Sequence, residues 1–74
     1  MAPEILCEWR NRTPFQPFRI HVVGNVHYEV ARPGFVLVGR TVVFVGLRKD
    51  VESPFFDDPV LVPLKYITSI EPLA

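Results

Sequence analysis

Residues 18–30 read FRIHVVGNVHYEV, and the alternation of apolar and polar side chains on either side of Gly24-Asn25 leaves this stretch little choice of structure. A period of two belongs to a strand with one oily and one wet face, and two such runs about a Gly-Asn pair read as a β-hairpin. Register decides which face is which, because a slip of one residue exchanges them. A two-residue turn at Gly24-Asn25 pairs Ile20 with Glu29 and Val22 with His27, bringing charge onto the apolar face. A three-residue loop, Val23-Gly24-Asn25, pairs Val22 with Val26, Ile20 with Tyr28 and Phe18 with Val30, and leaves Asn25 where a left-handed residue is wanted. The second register is the expected one. It turns Phe18, Ile20, Val22, Val26, Tyr28 and Val30 inward and gathers Arg19, His21, His27 and Glu29 into a polar strip on the reverse face.

The segment before the hairpin, APEILCEWRNR, carries Pro3 and Glu4 in a first turn and Arg10 and Arg12 at its end, a charge order that complements a helix dipole. A short helix is expected there, with Ile5, Trp9 and the neighbouring Leu6 as its docking stripe. It is too short to persist alone in water and depends on packing. TPFQP ends it, since each proline disfavours helical geometry in the residue before it. After a break at Pro33-Gly34, FVLVGRTVVFVGL gives two apolar runs about Gly39-Arg40. The second, Thr41 to Leu47, shows no alternation, which predicts a central strand buried on both sides. RKDVESPFFDDP is a polar loop with the pair Phe55-Phe56, and VLVPLKYITSIEPL reads as two short strands, 60–62 and 67–71, joined by a tight turn over 63–66. The fold class is mainly β: a short N-terminal helix and about five strongly bent antiparallel strands, in a small barrel that leaves few open edges.

With 74 residues, the chain is expected to be a single domain, residues 1–74, with a small core and marginal stability that self-association would raise. Its hydrophobic share of 49% and eight prolines exclude a polar disordered chain. Cys7, the lone cysteine, has no internal disulfide partner, which points to a reducing cytoplasm. The sequence begins with no basic stretch leading into an apolar one, and no apolar run approaches the roughly 20 residues a bilayer requires, so no membrane association is expected. Net charge is zero but unevenly distributed: residues 1–49 hold seven cationic and three anionic side chains, and residues 50–74 one and five. That asymmetry suits attraction to an anionic partner or to another copy of the chain.

Catalytic signatures are missing. No Ser-His-Asp pattern, glycine-rich phosphate loop or paired-cysteine motif occurs, and Cys7 lies between Glu4 and Glu8, whose charge disfavours a thiolate. His21 and His27, opposed across the hairpin, supply two metal ligands where zinc usually takes three or four, and Asp57-Asp58 reads as a loop tip more readily than as a cation site. No enzyme activity, cofactor or metal is therefore expected. The aromatic and basic neighbours Lys65-Tyr66, Arg19 with Tyr28, and Trp9-Arg10 fit base stacking and phosphate contact, although Tyr28 and Trp9 also fit the core. Phe55-Phe56 reads equally as a cap on the barrel or as a contact to a neighbouring subunit.

The order helix, hairpin, bent strands, variable loop and closing VLVPLKYITSIEP resembles the Sm-like family, bacterial Hfq included, whose members are small SH3-like barrels that form rings and bind RNA. LKYITSI is similar to the Hfq-type segment of lysine, histidine and a short strand, with Tyr66 in place of the histidine. The resemblance implies RNA contact by Lys65 and Tyr66; Arg19 and Arg40 are further cations expected to support such contact. Where the family's first motif has Phe-Asp, this chain has Phe35 and no aspartate. PFRI, GR and IEP in this order also look like the wording of short bacterial proteins that stand as their own reading frames, a likeness that implies no activity. Two functions are expected from these readings. The first is a non-catalytic binding or assembly module, self-associating through strand edges and through Phe55 and Phe56; the second is an oligomeric RNA-binding ring using Lys65, Tyr66, Arg19 and Arg40.

Overall fold

A computed structural model describes residues 1–50 and 52–73. The elements run α1 (Pro3–Arg10), β1 (Phe18–Val22), β2 (Val26–Val30), a 3-10 turn (Pro33–Phe35), β3 (Val36–Val38), β4 (Val42–Leu47), β5 (Asp58–Pro63), a second 3-10 turn (Leu64–Tyr66) and β6 (Ile67–Pro72). The strands number six against the expected five or so, and they form two three-stranded antiparallel sheets with orders β2-β1-β6 and β3-β4-β5. Among the described residues no hydrogen-bonded ladder joins the two sheets into one closed surface.

The hairpin takes the expected register: Phe18 faces Val30, Ile20 faces Tyr28, Val22 faces Val26, and on the reverse Arg19 faces Glu29 and His21 faces His27. Gly24 and Asn25 adopt the left-handed conformation at φ 83° and 60°, so the loop turns back on the two residue types that tolerate it best. The Val23 N–H donates to the Tyr66 carbonyl at 3.0 Å, tying the loop to the second 3-10 turn. Burial along the hairpin fades towards that loop. Phe18, Ile20 and Val30 are fully buried, Val22 and Tyr28 are half-buried, and Val26 is exposed, in contrast to the expectation that all six enter the core. Val26 has the right face but opens strand β2 at the edge of its sheet, beyond the neighbours that could cover it.

The core lies between the sheets, where Phe18, Ile20 and Val30 of one meet Val36, Val43, Val45 and Val62 of the other, with Leu64 and Ile67 beneath the turn that links them. Helix α1 closes it with Leu6, which is fully buried, and Trp9, whose ring lies 5.5 Å from that of Phe18. Ile5, expected in the docking stripe, is exposed. Leu6 and Trp9 stand three apart and share a helical face as well as Ile5 and Trp9 do, and it is the former pair that meets the sheets. Arg10 donates from Nε to the Val36 carbonyl at 3.0 Å, anchoring the end of α1 to β3.

Strand β4 is central in its sheet, as its unbroken apolar run predicts. Its burial is one-sided all the same. Val43 and Val45 point into the core, while Val42 and Phe44 are only half-buried on the other face. No helix is long and apolar enough to cross a membrane among the described residues.

Candidate functional site

The two sheets turn very different outer faces to solvent. On the β2-β1-β6 sheet, alternation places the polar strip of the hairpin outward, and β6 adds Glu71 opposite Arg19 and Ser69 opposite His21. Arg19 donates from Nη2 to Glu29 Oε2 at 2.9 Å and from Nη1 to Glu71 Oε1 at 3.3 Å, and His21 Nε2 lies 2.7 Å from the same Glu71 oxygen. The His21 hydrogen bond, with Arg19 beside it, holds the Glu71 carboxyl below the usual carboxylate range, and the Glu29 hydrogen bond raises Arg19. These groups are solvent-exposed, so the cluster steadies the sheet only weakly. Arg19 is thereby engaged by two carboxylates. The rings of His21 and His27 are 6.0 Å apart, and among the described residues no three His, Cys, Asp or Glu side chains converge on one point.

At one end of the other sheet, the turn between β3 and β4 and the turn after β5 bring Arg40 and Lys65 to the rim of a shared groove of about 620 Å³, floored by Val42, Pro63 and Leu64. Lys65 Nζ lies 5.2 Å from the centre of the exposed Tyr66 ring, within cation–π range. Of the four residues expected to contact RNA, Arg40, Lys65 and Tyr66 thus lie at this end, and Arg19 lies on the other sheet.

The third surface is the outer face of β3-β4-β5. Leu37, Phe44 and Leu61 stand directly opposite one another across the three strands, and Val42 pairs with Pro63 in the next outward row. In the row on the other side, Gly46 pairs with Pro59, and the Phe56 ring lies over the glycine, where an added Cβ would come within 2.7 Å of it. Phe56 also packs edge-on against Phe44 and Phe35, with ring centres 5.8 and 6.0 Å apart. Every outward position in these rows is uncharged. Leu37 and Leu61 keep 57% and 67% of their surface in solvent, and Phe55 at the loop tip keeps 75%. The two phenylalanines therefore divide the roles that the sequence left open: Phe56 caps the sheet and Phe55 projects from it.

The row Leu37-Phe44-Leu61 is the part that sequence reasoning missed. Its signal was present in the absence of alternation along β4, which says that both faces are oily but not what covers each of them. Neither a family model, nor a curated protein, nor a solved structure matches the chain.

Proposed function

We propose that the protein is a non-catalytic assembly module that binds protein surfaces, its own copies first, through the outer face of β3-β4-β5 and the adjoining Phe55-Phe56 loop. The observation that carries this reading is the uncharged row Leu37-Phe44-Leu61 across the three strands, in which Leu37 and Leu61 stand in solvent on either side of the half-buried Phe44. Contiguous exposed apolar patches on small proteins mark interaction sites. Strand edges contribute less: β5 carries Pro59 and Pro63, and β6 ends in Pro72, residues that withhold donors from an added strand. Two edges lack proline: that of β3, only three residues long and met by Arg10 of α1, and that of β2, five residues long. The arrangement of two sheets linked by a short 3-10 turn between β5 and β6, with β2 packed near β4, supports an Sm-like or SH3-like barrel as the scaffold. Cytoplasmic residence is part of the same reading, resting on the unpaired Cys7. The weight-average mass of the full chain, followed by light scattering against concentration, is expected to rise above the 8.5 kDa of one chain. A mass that stays at one chain throughout removes the self-association reading.

A second reading, RNA binding, is favoured by one observation: Arg40 and Lys65 share a groove beside an exposed Tyr66. Two cations with an aromatic ring hold a phosphate and stack a base. It predicts binding of oligo-uridine that weakens steeply with salt, since counterion release scales with the phosphates contacted. Absence of binding at low salt removes it.

A further inference from the structure

Resting on the self-association reading, we infer that two copies of the chain pack the outer faces of their β3-β4-β5 sheets together about a two-fold axis that lies in the interface and runs across the strands. The occupant follows from the chemistry of the face. Leu37, Phe44 and Leu61, flanked by Val42 and Phe56, present no charge and no polar side chain, so they favour a partner with an equally uncharged surface. A second copy supplies one of matching twist and width, and two sheets stacked face to face are a standard packing, about 10 Å apart. A two-fold axis brings the same patch from both sides, which closes the assembly at two chains.

The orientation follows from charge. One end of the sheet holds Arg40 and Lys65 at the rim of the groove. The opposite end holds Asp57 and Asp58, where β5 begins, with Asp50 and Glu52 in the loop before them, against Arg48 and Lys49, where β4 ends, a balance of two negative charges. An axis running along the strands would set like ends together, net positive on net positive and net negative on net negative. An axis running across them sets Arg40 and Lys65 of each copy against Asp57 and Asp58 of the other, at both ends of the interface. Complementary ends steer the encounter and fix the register of an otherwise featureless apolar contact.

The size of the face sets the strength. Strands about 4.8 Å apart, six residues long in β4 and β5 and three in β3, cover roughly 240 Å² per copy, so even with the Phe55-Phe56 loop the contact falls in the weak class of interfaces, under about 1,200 Å² in total. A dimer of micromolar or weaker affinity is expected, visible only as a concentration-dependent mass.

The test is sedimentation of the full chain from about 1 μM to about 1 mM, the span over which weak complexes dissociate. The expected limit is twice 8.5 kDa, with association weakening as sodium chloride is added. Leu61→Arg and Leu37→Glu, both at exposed positions and checked by circular dichroism to be folded, are expected to leave a monomer. The pair Arg40→Glu with Lys65→Glu is expected to weaken association at least tenfold, and adding Asp57→Lys with Asp58→Lys to the same chain is expected to restore it. A dimer that survives Leu61→Arg and Leu37→Glu overturns the face while leaving self-association standing. A dimer broken by those two but indifferent to the charge reversal overturns the axis across the strands. A wild-type chain that is monomeric throughout and binds oligo-uridine overturns both the dimer and the reading it rests on, in favour of the RNA binder.

Discussion

Gly24 and Asn25 sit side by side with positive φ, yet they are not equivalent. Glycine reaches that region at no steric cost, whereas an alanine pays about 1 kcal/mol for its Cβ. Nothing stands within 4 Å of the position a Cβ would take at Gly24, so the cost of Gly24→Ala is backbone strain alone, about 1 kcal/mol in a urea titration. Asn25→Gly is expected to change stability by no more than about 0.5 kcal/mol, because asparagine already tolerates the conformation. Glu71 behaves differently, acting through its charge. Its carboxyl is held below the usual range by the His21 hydrogen bond and then by Arg19, so the folded state keeps it ionised further into acid than the unfolded chain does. The stabilisation is present above the ordinary glutamate value and is lost as the pH falls through the lowered one. Glu71→Gln is therefore expected to lower stability slightly in the neutral region, to leave it unchanged below the lowered value, and so to flatten the acid limb of the stability–pH curve, as read by thermal melts at a series of pH values.

At the scale of the elements, α1 and the hairpin show how far local pattern reaches. The register of β1 with β2 was legible because alternation and loop chemistry favour the same pairing, and a shift by one residue would have buried Glu29 and His27. The helix was legible as an element but not in its docking face. Its first and last turns carry the signals of a helix, while the choice between Ile5 and Leu6 depends on where β3 and the hairpin lie. The consequence is measurable: Leu6→Ala is expected to cost 2–5 kcal/mol, as for a fully buried leucine, and Ile5→Ala under about 1 kcal/mol. The partner of His21 was also out of reach of sequence reasoning. Glu71 meets it only because β6 pairs with β1, residues some fifty positions apart in the chain, and no local period encodes that pairing.

For the whole molecule, the contrast between the two outer faces matters most. One is a mesh of arginine, histidine and glutamate; the other is a row of leucine, phenylalanine and valine. In a single chain Leu37 and Leu61 of the second face contribute little to folding, because they stay largely in water whether or not the chain folds. Leu61→Thr is accordingly expected to shift the unfolding free energy of the dilute chain by no more than about 0.5 kcal/mol, whereas Val43→Thr, which puts a hydroxyl into the core, is expected to cost about 1–3 kcal/mol. The difference tells a residue that holds the fold from one that is free to hold a partner. Arg40 and Lys65 illustrate the same point from the polar side, being twenty-five positions apart in sequence and joined at one rim by the antiparallel return of β5 along β4.

What the amino-acid sequence determined by itself is whatever a short window carries: the hairpin and its faces, the limits of the helix, the central place of the run from Thr41 to Leu47, and the prominence of Phe55 and Phe56. Tertiary structure alone decided which of two oily faces of β4 is covered, which carboxylate meets His21, and which cations share a groove. The physical reason is that periodicity reports the chemistry of each side of a strand, whereas burial depends on whether another surface is there to meet it, and that is settled by how the distant parts of the chain come to lie against it.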